Sequence, residues 1–485
     1  VSNFGLDLSK ESTKRTIDTS RFTDDQRNAY NSIMNWINEP FDSNNYKIAL
    51  VGAAGTGKTY LIKSIISNCP FSYSVIGLAA PTHKAARVLK ASIGSIPVKV
   101  NTLQSDMGLR LNLKKYDFDP NNPPFDPQGR VKIGQFKLYI VDEASMINKS
   151  LEELLERMCI QNQVKLLVQG DPSQLYPVNE NYSKAFNNIK TFKLNQIVRQ
   201  ENDNPVKKLL ELLRTDIKLK TFKFLEYIST HKYEVDEGNT KGFICCNRQE
   251  FYERVLMQFN DERYANNIDL VRVVAYTNVA VTTWNNFIRR NIILDANRAI
   301  ITKNDLILSY VTIVDDFLAP VITNGEEYII KDCVGYVHPK YNIKGFMVTF
   351  VAIHGGAVTK PLFVVDHKDI NAIRTYLAIY NDKLDKAKKN RSWQQYYDFR
   401  NEVLLLINIV DKYDPTKIIV SRDIDYGFAI TSHRSQGSTY ENVMVDVIDI
   451  VYDKNGQPYG NADEINRRLY VACSRCRNKL YLNYG

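Results

Sequence analysis

The stretch "VGAAGTGKTY", residues 51–60, decides how the rest of the chain is read. A strand-like "YKIAL" precedes it and a helix-like "YLIKSIIS" continues from it. This is the strand, loop and helix order in which G-x-x-x-x-G-K-[ST] forms a phosphate cradle. Gly52, Gly55 and Gly57 let the loop turn backbone N–H groups toward phosphate oxygens, helped by the positive end of the following helix. Lys58 then reaches the β and γ phosphates, and Thr59 offers its hydroxyl to Mg²⁺.

A cradle alone does not hydrolyse. Phosphoryl transfer also needs a metal-binding carboxylate and a group that orients water. Downstream, "KLYIVDEASM" ends an apolar run in Asp142, suited to Mg²⁺, followed by Glu143, suited to the attacking water. The next strand-like run, "VKLLVQ", leads into "GDPSQLYPV". There Gln174 is placed to sense the γ-phosphate, and Asp171 to hold either the loop or the water shell of the metal.

The three segments, in this order, resemble superfamily 1 helicases, and further stretches resemble that family's remaining motifs. "FTDDQRNAY" resembles the adenine-reading motif, with Gln26 toward the base; "LAAPTHKAA" resembles motif Ia; "LNQIVRQ" motif IV; "YGFAITSHRSQGSTYENV" motif V; and "RLYVACSRCR" motif VI. The resemblance implies an α/β fold of two RecA-like P-loop lobes, each a parallel sheet flanked by helices. Arg199 and Arg475 would reach the γ-phosphate from the second lobe, and Gln436 would complete the sensor between nucleotide and strand. The family position of Pro81, Thr82, His83, Thr102, Thr277, Asn278, Ser432 and His433 implies a track of polar loop groups along a nucleic-acid backbone.

Between "NTLQS" and Asp142 there is room only for a small hairpin, "SDMGLRLNLKKYDFDPNNPPFDPQGRVKIGQF". This resembles the 5′-to-3′ branch, the RecD/Dda-like group of superfamily 1B, in which an aromatic residue on the hairpin acts as a pin at the duplex junction. Phe125 is the nearest candidate by spacing, with Phe118 and Tyr116 as rivals. The same resemblance implies an SH3-like barrel with a tower inserted in the second lobe. "NDKLDKAKKNRSWQQYYDFRNEVLLLINIV" fits the tower, being helix-like, basic at Lys386, Lys388, Lys389 and Arg391, and aromatic at Trp393, Tyr396 and Tyr397; bracing the pin, contacting the strand, or being a solvated face all suit it. The expected division is 1–103 with 136–190 for the first lobe, 104–135 for the hairpin, 191–322 with 424–485 for the second lobe, and 323–423 for its insertion.

Composition agrees with such an enzyme. The net charge of +9 suits a polyanionic partner without requiring one. No apolar run approaches the roughly 20 residues that cross a bilayer, and the seven cysteines lack framework spacing. A soluble, cytoplasmic protein with free thiols is expected. Cys473 and Cys476 form C-x-x-C inside motif VI, but no second ligand pair makes this a zinc site.

The expected activity is therefore ATP-dependent, Mg²⁺-dependent 5′-to-3′ translocation on single-stranded DNA with duplex separation at the pin. Single-stranded DNA and duplex junctions are the expected partners, together with a single-strand-binding or replication protein, and the source is expected to be viral or a mobile element. Both arginines lie in one chain, so a monomer is expected to complete its own ATP site. An RNA-directed helicase and a nucleic-acid-stimulated ATPase that remodels without unwinding are the alternatives; 2′-hydroxyl contacts would distinguish the first.

Overall fold

The computed structural model describes residues 17–111, 125–177, 180, 182–196, 204–315, 320–414 and 416–484. Lys47–Gly52, the strand feeding the cradle, is apolar along "IALV" because helices cover both faces of its sheet. That sheet is parallel throughout, with six strands in the order Lys99–Thr102, Ile76–Ala80, Leu138–Val141, Lys165–Gly170, Lys47–Gly52, Lys190–Leu194. One face packs Ile33, Trp36, Ile62, Ile65 and Leu89 from the helices Asp24–Asn38, Lys58–Asn68 and His83–Ile93. The other face packs Tyr139 and Val168 against Leu155 and Met158 of the helix Lys149–Gln161.

A second six-stranded sheet runs Ala429–Thr431, Val271–Ala275, Tyr440–Val445, Cys476–Asn483, Gly242–Cys246, Tyr233–Val235. Its strands are parallel except the last, which closes the edge as an antiparallel neighbour. The helices Val206–Leu219 and Ala462–Ser474 cover one face through Leu209, Leu213, Ile465 and Leu469; Arg248–Phe259 and Asn278–Ile292 cover the other through Phe251, Val255, Trp284 and Ile288. Two parallel sheets, each sandwiched by helices, realise the two RecA-like lobes.

The expected boundaries shift in three places. Lys190–Leu194 pairs in parallel with the cradle strand, so it completes the first lobe although the second was expected from residue 191. The third sheet, in the order Val403–Leu404, Leu362–Val365, Lys344–Ala352, Glu327–Val337, Leu306–Ser309, Ile424–Tyr426, begins upstream of 323 and ends beyond 423. Leu306–Ser309 and Ile424–Tyr426 bond each other antiparallel, so the chain leaves and re-enters the second lobe through the insertion's own edge. Among the described residues this sheet is open, and the closure of an SH3-like barrel is not among its pairings.

Two helices, Ile370–Asn390 and Gln394–Glu402, stand on the third sheet. Trp393, Tyr396 and Phe399 are buried with Tyr376 and Tyr380 in a shared core. The tower aromatics therefore hold the module together, and Trp393, 5% exposed, presents no ring to a strand. Lys386, Lys388, Lys389 and Arg391 lie on the solvated surface. All the cysteines of the described residues are free, with Cys473 buried in the second lobe and Cys476 opening a strand.

Candidate active site and strand track

The cradle is built as its glycines require. Gly57 sits at φ 81° as the N-cap of Lys58–Asn68, in the left-handed region that a side chain rarely adopts. With no capping side chain, the first-turn N–H groups stay free for an anion. At Gly52 a Cβ would lie 2.6 Å from Thr56 Oγ1 and 2.9 Å from the Leu194 carbonyl, so the loop packs on its neighbour strand only as glycine. Lys58 Nζ donates to the carbonyls of Gly52 (2.7 Å) and Ala53 (3.1 Å), which holds the ammonium over the loop. Gln26 is buried; its Nε2 donates to the Thr56 carbonyl at 3.0 Å, and its Oε1 accepts from the Thr23 N–H. It thus ties the first helix to the cradle.

Asp142 and Glu143 follow the strand Leu138–Val141 at the mouth of the same lobe. Asp142 Oδ1 accepts from the Glu143 N–H (2.8 Å) and Gln169 Nε2 (2.7 Å). Glu143 has φ 50°, a left-handed conformation costly for a non-glycine residue and held here by the surrounding bonds. Some surface of both remains open to the cleft, yet enclosing protein raises both carboxyls above their ordinary range. Lys58 opposes the rise at Asp142; at Glu143 the neighbouring Asp142 adds to it, while Arg475 and Lys58 oppose it. Thr59 and Asp142 offer oxygen donors only, which suits a hard cation completing its shell with phosphate oxygens and water. Among the described residues no cluster of three or more His, Cys, Asp or Glu side chains forms a metal cage of its own.

The second lobe closes over this face. Gln174 Nε2 donates to Glu143 Oε2 at 3.3 Å, and Gln436 Nε2 donates to Gln174 Oε1 at 3.5 Å. A line of polar groups so runs from the Glu143 carboxylate to Gln436. Arg475 is buried, with its guanidinium bonded to the carbonyls of Val471 (3.0 Å) and Ser438 (3.3 Å) and to Ser474 Oγ. A cleft of ≈ 700 Å³ opens between Ala53, Ala54 and Gly55 on one side and Leu210, Arg214, Tyr470 and Ser474 on the other. Arg199 lies outside the described residues.

Sequence reading overlooked Arg467 and Tyr470. Arg467 Nη1 donates across the cleft to the carbonyls of Pro172 (2.6 Å) and Gln174 (2.8 Å), and the Tyr470 hydroxyl donates to Asp171 Oδ2 at 2.6 Å. The signal was present: the spacing of 467, 470 and 474 puts them on one helix face that leads into Arg475. Asp171 holds the loop, accepting from the Ser173 N–H as well.

The expected track residues cluster at helix starts. Thr82 caps His83–Ile93, Thr102 caps Leu103–Asp106, and Thr277 caps Asn278–Ile292, each hydroxyl accepting a backbone N–H. Pro81 precedes the first of these caps and is half-buried. His83 is exposed and lines a cleft of ≈ 1180 Å³ opposite Thr323, Tyr328, His354 and Lys360 of the inserted module. Asn278 is exposed, with Oδ1 accepting from Arg422 at 3.5 Å.

Three hydroxyls differ from expectation. Ser432 is fully buried and donates to the Ala275 carbonyl, because its strand-end position points it into the lobe. Thr277 Oγ1 also donates to Asp449 Oδ1 at 2.6 Å, and Thr102 is 7% exposed, so both are engaged in capping. His433 sits beside Tyr276; burial, reinforced by Arg468, keeps its imidazole below the usual value and therefore neutral near pH 7.

In the expected hairpin, Leu109–Leu111 pairs antiparallel with Phe125–Pro127, Leu111 opposite Phe125. The Phe125 ring is 56% exposed, an unusual place for a large apolar side chain. Phe118 and Tyr116 lie outside the described residues.

Known proteins resemble the chain in sequence and fold. Residues 22–230 match a family model described as an AAA domain. The chain is 26% identical over 277 residues to the ATP-dependent DNA helicase Dda of Enterobacteria phage T4, across 56% of this chain and 57% of that protein. The chain is thus similar in sequence to DNA helicases of this kind. It is also 24% identical over 519 residues to protein R530 of Acanthamoeba polyphaga mimivirus, across 95% of this chain and 99% of that one. The fold of the chain is similar to the crystal structure of Pif1 helicase from Candida albicans, with a TM-score of 0.49, 16% identity, and coverage of 96% of this chain and 94% of that one. No helix among the described residues is long and apolar enough to cross a membrane.

Proposed function

We propose that this chain is a superfamily 1B helicase of the Dda/RecD type, which hydrolyses ATP with Mg²⁺ to move 5′ to 3′ along single-stranded DNA and part the duplex on its hairpin. The relay from Glu143 through Gln174 to Gln436 carries the reading, because it joins the hydrolytic carboxylate to the motif that also carries His433 of the track. In this reading Lys58 and the loop N–H groups bind the phosphates, Thr59 and Asp142 hold the cation, and Glu143 orients water. Arg475, and Arg199 with it, offset charge developing on the γ-phosphoryl group when the lobes close.

Movement follows from alternation. ATP favours the closed cleft and hydrolysis releases it, so track groups on the two lobes draw a strand past one another. His83, Asn278 and His433 are the track side chains with surface to offer a backbone, and the N-terminal N–H groups capped at Thr82, Thr102 and Thr277 lie beside them. The exposed Phe125 supports a pin role at the fork. A 5′-to-3′ direction rests on likeness to the Dda/RecD branch, and DNA rather than RNA on the phage T4 relative's activity. Arg199 and Arg475 belong to one chain, which suits a monomer.

The test is ATP-dependent strand separation on matched duplexes with a single-stranded tail at only the 5′ or only the 3′ end, in DNA and RNA. The expected result is separation from the 5′ DNA tail alone. A 3′ preference overturns the direction, an RNA preference overturns the substrate, and stimulated hydrolysis without separation leaves a translocase or remodeller.

A further inference from the structure

The loop carrying Gln174 is held by the opposite lobe. Its backbone carbonyls at Pro172 and Gln174 both accept from one guanidinium, that of Arg467. Arg467 is itself fixed: Nε donates to Asp463 Oδ2 at 2.9 Å, and the guanidinium stacks 4.0 Å from the centre of the Tyr176 ring. One helical turn on, Tyr470 donates to Asp171 at 2.6 Å. Arg467, Tyr470 and the acceptor Asp171 are all buried, so these bonds are not exchanged freely for water.

The contacts converge on one residue. Arg467 grips the Gln174 backbone while the Gln174 side chain spans Glu143 and Gln436. The gripping helix, Ala462–Ser474, ends at Arg475, its C-cap. A helix moves as a unit, so the register that brings Arg475 to the cleft also sets the loop that carries the sensor. An open cleft would strip the Pro172 and Gln174 carbonyls and the Asp171 carboxylate of these partners.

We propose that Arg467 and Tyr470 are positioning residues for ATP hydrolysis, which lock Gln174 and Asp171 into register with Glu143 only when the second lobe closes. They act through the loop: Tyr470 contributes its ring to the cleft wall while its hydroxyl serves Asp171. The arrangement makes arrival of Arg475 and alignment of the sensor a single event. The inference rests on Glu143 and Gln174 acting on bound nucleotide, as proposed above.

The test compares strand-stimulated ATPase of the full chain with that of Tyr470→Phe, Asp171→Asn, the double variant, Arg467→Lys and Arg467→Met, fitting kcat and KM for ATP separately and recording thermal midpoints. Removing one buried charge-assisted bond is expected to lower kcat about tenfold in Tyr470→Phe, with KM within about threefold. The double variant is expected to lose no more than the worse single one, since both remove the same bond. Arg467→Lys, still reaching one carbonyl, is expected to retain more kcat than Arg467→Met. Unchanged kcat in Tyr470→Phe, additive losses in the double variant, or a loss carried wholly by KM each overturn the proposal. A wild-type chain without stimulated ATPase overturns the functional reading as well, whereas an active wild type with an unaffected Tyr470→Phe overturns this one alone.

Discussion

Lys84 and Glu327 bind the first lobe to the inserted module through a buried ion pair, Nζ to Oε2 at 3.1 Å. The other carboxylate oxygen lies 3.2 Å from Arg272 Nη2, on a central strand of the second lobe. Tyr440 stacks beneath both cations and accepts a hydrogen bond from Lys84. Arg87, one turn along the Lys84 helix, pairs with Glu326. A single carboxylate thereby fixes the module against both lobes, beside the exposed His83.

Glu327→Gln should destabilise the protein by about 3 kcal/mol, because it takes from the buried Arg272 and the half-buried Lys84 the carboxylate they share. Burial alone would raise this carboxyl, yet Arg272 and Lys84 together hold it down at about 2. That value is below the ordinary glutamate value of about 4.3. A depressed folded pKa stabilises above the unfolded value and loses that stabilisation as pH falls through the folded one. Urea midpoints of wild type and Glu327→Gln should therefore differ most above about pH 5 and converge toward pH 2 to 3. A constant gap across that range would assign the loss to packing instead.

Lys58→Ala should abolish ATP turnover with little effect on folding. Among the described residues its ammonium bonds two carbonyls of its own loop, so the change in stability should stay within about 1 kcal/mol. Glu143→Gln should still bind nucleotide and strand while its kcat falls at least about a hundredfold, the scale of a lost general base. Single-turnover ATPase beside equilibrium nucleotide binding separates the two. Near-normal stimulated turnover in either variant would remove that residue from the proposed site.

Arg475→Ala should lower kcat by about a thousandfold, in the range of a lost arginine finger. Arg475→Lys should recover little, because the guanidinium is held by bonds to Val471, Ser474 and Ser438 that an ammonium cannot reproduce together. Nucleotide affinity measured without turnover should change far less than kcat. A loss confined to affinity would make Arg475 a binding group rather than a stabiliser of developing charge.

Much of this was legible in the sequence because short motifs demand local geometry. The glycines at 52 and 57 announce the cradle since a side chain there meets backbone or a left-handed φ, and Asp142 and Glu143 follow an apolar strand as expected. Long-range pairing was not legible. Nothing in "TFKL" says that Lys190–Leu194 joins the first sheet, because edge pairing depends on what the remote Lys47–Gly52 strand leaves open. Trp393 looked available to a strand since an aromatic beside a basic run has the same sequence whether it faces solvent or Tyr396. Ser432 looked like a track hydroxyl, and only the closeness of the Ala275 carbonyl turns it inward. Glu327 escaped for the same reason, its partners being remote in sequence, and the helical spacing of Arg467 and Tyr470 shows their shared face but not the loop that face meets.

Phe125→Ala should separate unwinding from translocation. With more than half of its ring exposed on a two-stranded pair, Phe125 contributes little to any core, and its loss should cost about 0.5 kcal/mol or less. Its neighbour strand begins just beyond the short helix Leu103–Asp106 that Thr102 caps, so the hairpin stands directly on the expected track. A ring there would stack on the first base pair of a fork and make forward movement of the strand incompatible with pairing. Stimulated ATPase on single-stranded DNA should therefore stay near wild type in Phe125→Ala while the rate of duplex separation falls severalfold or more. Phe118→Ala and Tyr116→Ala, assayed in parallel, decide which aromatic carries the load. Equal losses of ATPase and separation in Phe125→Ala would make the residue a support for the lobe, and normal separation in all three variants would remove the pin from the mechanism.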